Sequence, residues 1–232
     1  MASTEIVVAS FWVHRPKDFP KAADYGAMLK VLQGCCDRFG YRHVVLTDLR
    51  QAPAIHDLGI ETYAIDLPRN LMKAVTEVQA RWLESPYSMG VDTLFTGADC
   101  LIRRDFRGAI ELDALTIAFM KDHKKWRLNT GFMYVPAGLR SLATPLFRLV
   151  ADDCTEIMCD DMAALERALA PMPKDYATIE RRGMKINLVP MRQWNATLDS
   201  VDDEAADSYV LHFLGEQRKP LFFAWAKRWG FA

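Results

Sequence analysis

The densest chemistry in the sequence is His212-Phe213-Leu214-Gly215-Glu216-Gln217-Arg218-Lys219-Pro220, which starts directly after the apolar run Tyr209-Val210-Leu211. An imidazole completes the coordination of a divalent cation, a glycine lets the backbone approach a phosphate, and a lysine gives a phosphate oxygen a point charge. The order suits a phosphorylated, cation-bound ligand.

Three further segments sit where short apolar runs end, and in open parallel sheets ligands bind beyond the carboxyl ends of strands. In Ala9-Ser10-Phe11-Trp12 the aromatic faces would sandwich a nucleobase, or simply begin a packed loop. In Gly97-Ala98-Asp99-Cys100 the carboxylate would reach a cation that neutralises a diphosphate leaving group, or serve a turn. In Asn129-Thr130-Gly131 the amide would donate to a sugar hydroxyl while Gly131 admits a close backbone; the same triplet is an ordinary turn.

The elements that must position these residues follow from periodicity. Ile6 to Ser10 and His43 to Thr47 are short, unalternating apolar runs, the pattern of strands buried on both faces; Ile60 to Ile65 is read as a third strand and Asp92 to Thr96 as another buried one. Between them Asp24 to Arg38 and Asn70 to Ser85 have helical spacing, with Gly40 as a stop, and Trp12 to Lys21 reads as loop. After Asp99 the sequence predicts strands at Ala114 to Met120, Met133 to Pro136, Ile186 to Val189 and Tyr209 to Leu211. Helices are predicted at Thr144 to Asp152 and Asp160 to Ala170, and Leu221 to Phe231 is a basic aromatic tail. One α/β domain over residues 1–232 is expected, with a nucleotide-binding half (1–100) and a donor-sugar and acceptor half (101–232).

Bulk properties exclude several classes. A net charge of -1, from 29 Lys plus Arg against 30 Asp plus Glu, gives no global field for nucleic acid or an anionic membrane. The five cysteines, Cys35, Cys36, Cys100, Cys154 and Cys159, share no metal-ligand spacing and read as reduced thiols. The sequence starts without the pattern of a signal peptide, and no apolar run approaches the roughly 20 residues that span a bilayer, so a cytoplasmic protein is expected.

The order of these motifs, a strand, Gly-x-Asp, Asn-x-Gly, Asp-Asp before a helix, and His-x-x-Gly-x-x-x-Lys-Pro, resembles GT-A-fold nucleotide-diphosphosugar glycosyltransferases, in particular those of family 8 (glycogenin and galactosyltransferase-like). The resemblance runs from about Val7 to Leu221. It implies an α/β GT-A fold, a Rossmann-like central mixed sheet flanked by helices. In that family an Asp-x-Asp binds Mn²⁺ or Mg²⁺ with the sugar nucleotide; Asp99 matches its second position, while Gly97 stands at the first. His212 matches the later metal ligand, and Gly215 with Lys219 the phosphate contacts. The family has one residue fewer between Gly and Lys, which leaves Arg218 and Lys219 both open for that contact.

Asn129 and Gly131 match donor-sugar contacts, and Arg81 a basic residue that reaches the donor, or else a solvated helix face. Asp160-Asp161 falls where the family has Asp-Gln near the transferred sugar, which makes Asp161, Asp160 and Asn129 the catalytic candidates. Trp194-Asn195 resembles an aromatic-Asn pair and is assigned to the acceptor side.

The activity so implied is transfer of a sugar from a nucleotide diphosphate, UDP-sugar being the expected donor, with retention at the anomeric carbon. Glycan, lipid, protein and hydroxymethylated DNA base are open as acceptors. Lys219, Lys227 and Arg228 among Phe222, Phe223, Trp225 and Trp229 either stack on bases or pack on the core, packing being the stronger reading. Two rivals share the donor site. One is a hydrolase or nucleotidyltransferase, although Ser10 to Pro16 lacks the Gly-rich basic loop of the latter. The other is a binding protein without catalysis, for which Gly97 argues.

Overall fold

The computed structural model describes residues 4–13, 24–155, 157, 160–200 and 207–231. Strands β1 (Ile6–Phe11), β2 (Arg42–Asp48), β3 (Glu61–Ile65) and β4 (Asp92–Gly97) are parallel and lie in the order β3-β2-β1-β4. Both faces of β1 are covered, as its unalternating run of Ile6, Val7, Val8 and Ala9 requires. Helix α1 (Tyr25–Phe39) starts where the Asp24 carboxylate accepts the Ala27 amide at 2.9 Å, and it stops at Gly40, whose φ of +65° a side chain would resist. A short helix, α2 (Ala52–His56), precedes β3. Helix α3 (Leu71–Glu84) is capped in the same way by Asn70, which accepts from the Lys73 amide.

The rest of the chain extends the same sheet. It comprises β5 (Cys100–Ile102), β6 (Leu115–Phe119), β7 (Leu128–Val135), α4 (Arg140–Asp153), α5 (Asp160–Leu169), β8 (Ala177–Arg181), β9 (Met184–Pro190), α6 (Met191–Trp194), β10 (Val210–His212) and α7 (Lys219–Arg228). The full order is β3-β2-β1-β4-β7-β6-β9-β8, and only β7 and β8 oppose the common direction. Because β4 pairs with β7, the two predicted halves share one sheet. A separate ribbon of β5 and β10 sets His212 opposite Cys100.

Apolar cores cover both faces of the sheet. One gathers Val7, Phe95 and Met133 with Trp82 of α3 and Phe147 of α4; the other gathers Val8, Leu94 and Tyr134 with Leu32 of α1 and Trp225 of α7. Each such side chain, fully buried, contributes about 1.5–3 kcal/mol.

The structure departs from the sequence reading in four places. Strand β7 starts at Leu128 rather than Met133, which puts Asn129-Thr130-Gly131 inside a strand rather than in a turn. Helix α4 begins at Arg140 rather than Thr144. The tail is a helix, started by Lys219-Pro220 and burying Phe222, Trp225 and Ala226 at helical spacing, so its aromatics pack on the core. Strands β5 and β8 and helices α2 and α6, three to five residues each, are too short for a periodicity to announce them. Cys35, Cys36, Cys100 and Cys154 are buried free thiols; Cys159 and most of the Trp12 to Lys21 loop lie outside the described residues.

Candidate active site

After β1 the chain moves to β2 on one side, and β4 returns to the other side of β1, so a crevice opens beyond the carboxyl ends of β1 and β4. A cleft of about 260 Å³ occupies it. One wall is apolar and aromatic, formed by Phe11, Trp12, Tyr25, Leu71, Met72 and Val75. The facing wall is polar, with Thr96, Asp99, Thr130, Asp161 and His212.

Asp99 follows β4 with its side chain only 13% exposed, and both of its oxygens are engaged. Oδ2 accepts from the Lys219 ammonium, and Oδ1 faces His212 Nε2 at 3.4 Å. Burial alone would raise the Asp99 carboxyl; the adjacent His212 imidazole and the Lys219 ammonium override it and hold the group well below the carboxylate range. Lys219, 4% exposed, also donates to the Phe213 carbonyl at 2.7 Å. Burial, then the nearby charges of Asp99 and Glu216, push the Tyr25 hydroxyl up, so it remains a neutral donor on the cleft wall.

Behind His212 a chain of hydrogen bonds leads back to the sheet. Asn195, 0% exposed, places Nδ2 3.2 Å from His212 Nδ1 and 2.9 Å from Asn129 Oδ1. Asn129 Oδ1 also accepts the Gly131 amide at 2.8 Å. Two glycines make room for this cluster. A Cβ on Gly97 would lie 2.4 Å from Asp99 Oδ1, and a Cβ on Gly131 would lie 2.6 Å from His212 Nδ1. Strand β7 bulges here, since one step on β6 from Ile117 to Ala118 answers the move from Met133 to Asn129 on β7. That irregularity turns Thr130 and Gly131 together toward the cleft.

The second carboxylate of the cleft is Asp161, in the first turn of α5 and 8% exposed. Thr130 Oγ1 donates to its Oδ2 at 2.6 Å. Burial raises the Asp161 carboxyl above its ordinary value, against the lowering effect of the Thr130 hydrogen bond. Its neighbour Asp160 takes no part. Burial would raise Asp160 too, but hydrogen bonds from Thr155 and Arg167 hold it low and bind it away from the cleft, where it anchors the start of α5.

Among the other predicted site residues, Phe11, Trp12, Gly97, Ala98, Asp99, Gly131 and His212 come together at the cleft. Several do not. Ala9 is core, and Ser10 turns to the opposite face, where its hydroxyl meets His43 Nε2 at 2.8 Å. Arg81 lies two residues beyond Gln79, a cleft residue, hence about 200° round α3; it pairs with Glu77 and Glu84 in solvent. Arg218 binds Asp199 and the Leu214 carbonyl, so the charge beside Asp99 belongs to Lys219. Gly215 is exposed at φ +84°, letting the chain turn from β10 into α7. Trp194 is core, packed against Phe132 and Tyr209, and acts on the site only by holding Asn195. Sequence reasoning missed Tyr25, Thr130 and Gln79; a helix's first residue and a strand residue between two candidates carried the only signal for the first two.

A second, more polar cleft lies past the ends of β6 and β9, lined by Lys121, Asp122, His123, Tyr176, Met191 and Arg192. Its Met191 Sδ accepts from Asn129 Nδ2 at 3.7 Å.

Solved structures with this fold exist. The chain matches a glycosyltransferase involved in the glycosylation of the major capsid of PBCV-1, at 12% identity and a TM-score of 0.60, over 94% of this chain and 99% of that one. It also matches the glycosyltransferase GlyE of Streptococcus pneumoniae TIGR4, at 8% identity and a TM-score of 0.57, over 97% of this chain and 60% of that one. No protein-family model and no curated protein matches the sequence. The architecture is the α/β fold of GT-A-like glycosyltransferases, with a large, mostly parallel sheet flanked by helices.

Proposed function

We propose that this protein is a glycosyltransferase that moves a sugar from a nucleoside diphosphate, a UDP-sugar being the first candidate, to a hydroxyl acceptor. The observation that carries the reading is one cleft, at the strand switch point, that joins an aromatic wall of Phe11, Trp12 and Tyr25 to a polar wall holding Asp161. The aromatic wall suits a nucleobase, and the polar wall suits a diphosphate and a sugar. Fold likeness to glycosyltransferases supports the reading.

In the proposed reaction the bond from the anomeric carbon to the phosphate oxygen breaks and the nucleoside diphosphate leaves with the electron pair. The acceptor oxygen bonds to the same carbon and gives up its proton to the departing diphosphate oxygen. Asp161 stabilises the cationic sugar carbon, and Thr130 fixes the orientation of its carboxylate. A carboxylate in that position on one face of the sugar suits retention of configuration. The second cleft is assigned to the acceptor.

The test is a panel of nucleoside-diphosphate sugars followed by thermal shift and by release of nucleoside diphosphate, with wild type and Asp161→Asn. A donor that stabilises both proteins but is turned over only by the wild type is the expected result. Should none of the panel stabilise the wild type, the proposal fails.

A further inference from the structure

We infer that this cleft holds a diphosphate without a divalent cation, because the carboxylate that would hold one, Asp99, is paired with the Lys219 ammonium instead. The inference rests on reading the cleft as a nucleotide-sugar site. GT-A folds of the resembling family imply a metal here, and Asp99, Cys100 and His212 are the group of described residues close enough to share one, their ligand atoms lying within 4.8 Å of one another. Their chemistry does not fit it.

The argument starts from the Gly131 amide, a backbone donor that cannot be reversed. It points at Asn129 from 2.8 Å, which obliges Asn129 to present its oxygen. That oxygen also faces Asn195, so Asn195 must present its NH₂. The same NH₂ faces His212 Nδ1, which must therefore accept. The imidazole proton is left on Nε2, the atom turned to Asp99 Oδ1 at 3.4 Å. A metal-bound histidine has the opposite arrangement, with its outer nitrogen donating to an acceptor and its inner lone pair on the ion. In His212 both nitrogens are already committed.

Asp99 is engaged as well, since Lys219 donates to its Oδ2 and the protonated Nε2 of His212 faces its Oδ1 at 3.4 Å. A side chain at position 97 would displace the Asp99 carboxylate from this arrangement, because its Cβ would lie 2.4 Å from Asp99 Oδ1. The remaining donor, the Cys100 thiol, is fully buried in the apolar cluster with Leu101, Phe106 and Phe132. Magnesium and manganese favour several oxygens, and this set offers one carboxylate already paired with an ammonium. Gly97 is therefore what lets the Asp99 carboxylate fold back onto the Lys219 charge, and it is part of the design.

Titration calorimetry on the full chain tests this with three probes: Mn²⁺ alone, then each of UDP, GDP, ADP and TDP in EDTA, then the same nucleotides with Mn²⁺. The expected result is no stoichiometric Mn²⁺ binding, and one nucleotide that binds with the same Kd, within about twofold, in EDTA and in Mn²⁺. Binding that appears only with Mn²⁺ overturns the cation-free inference and leaves the donor-site reading standing. Absence of nucleotide binding in both conditions overturns the donor-site reading and the inference with it. Asp99→Asn gives an independent sign. It keeps the shape and an acceptor for Lys219 while releasing the ammonium's charge, so nucleotide binding in EDTA tightens by about tenfold; weaker binding overturns the inference.

Discussion

Gly131 lies so close to His212 that a Cβ on the glycine would sit 2.6 Å from both Cε1 and Nδ1 of the imidazole. The ring fills the space that a side chain on β7 would take. Gly131→Ala must push the ring off Asn195 and Asp99, and overpacking of this kind costs about 1–3 kcal/mol. Urea unfolding measures the loss, and donor turnover should fall at least tenfold with it. Gly138→Ala is the control: nothing lies within 4 Å of its Cβ, and its stability should stay within about 0.5 kcal/mol of wild type.

Asp161 and Thr130 form a carboxylate–hydroxyl pair in the cleft. Asp161→Asn keeps the size and the Thr130 contact but removes the negative charge from the reacting carbon. A fall in kcat of about 10²–10⁴-fold with nearly unchanged donor Kd is expected, the pattern of an interaction realised in the transition state. Single-turnover kinetics beside direct binding distinguishes this from a loss of affinity. Thr130→Val should cost less, about tenfold in kcat, because it frees the carboxylate without removing it.

Lys219 is the counter-charge of a buried carboxylate. Lys219→Met strands Asp99 and should destabilise the fold by about 3–5 kcal/mol, the usual cost of breaking a buried ion pair from one side. Adding Asp99→Asn removes the stranded charge, so the double variant should recover at least half of that loss. A double-mutant cycle in urea reads the coupling, and additive losses would show that the two residues do not depend on each other.

His43 gives the fold an acid sensitivity of known sign. Burial lowers its imidazole from 6.5 to about 3, and it stays neutral between Ser10 and Gln33. Between those two values the unfolded chain binds a proton that the folded chain refuses, so stability rises with pH. The contribution is complete above pH 6.5 and drains as pH falls, by up to about 1.4 kcal/mol per unit. His43→Gln should flatten the slope of unfolding free energy between pH 7 and 5, a window in which most carboxylates stay ionised. An unchanged slope would place the acid sensitivity elsewhere.

Trp12 closes the aromatic wall at the end of β1. Trp12→Ala removes one stacking face and should weaken donor binding about tenfold, with kcat for bound donor little changed. Equilibrium binding of the nucleotide alone is the direct measurement.

The parallel half of the sheet was legible because β1 and β2 are buried on both faces and show it as short apolar runs, with the Leu94-Phe95 core of β4 following a predicted helix, while Asp24, Gly40 and Asn70 marked helix ends. Strand β8 alternates half-buried and exposed residues at the sheet's edge, and its apolar content is too low to separate it from loop. In the site, position after an apolar strand selected Asp99 and His212, and the family resemblance added Asp161. Spacing did not decide between Arg218 and Lys219, because that choice depends on which one the first turn of α7 aims inward. Nor did it separate Asp160 from Asp161, where adjacent carboxylates on one helix face opposite ways, one toward Arg167 and one into the cleft. Tyr25 was hidden because its role depends on where α1 docks.

Asp99 and Lys219 are 120 residues apart in sequence. Helix α7 is thus more than a cover for the core: undocking it would leave an uncompensated charge in the interior, adding an electrostatic cost to an opening that apolar contacts alone would permit. Local fraying of α7 is coupled in this way to collapse of the cleft. Amide exchange in its first turn should then follow the global unfolding free energy, and a molecule competent to bind donor is one that is folded throughout.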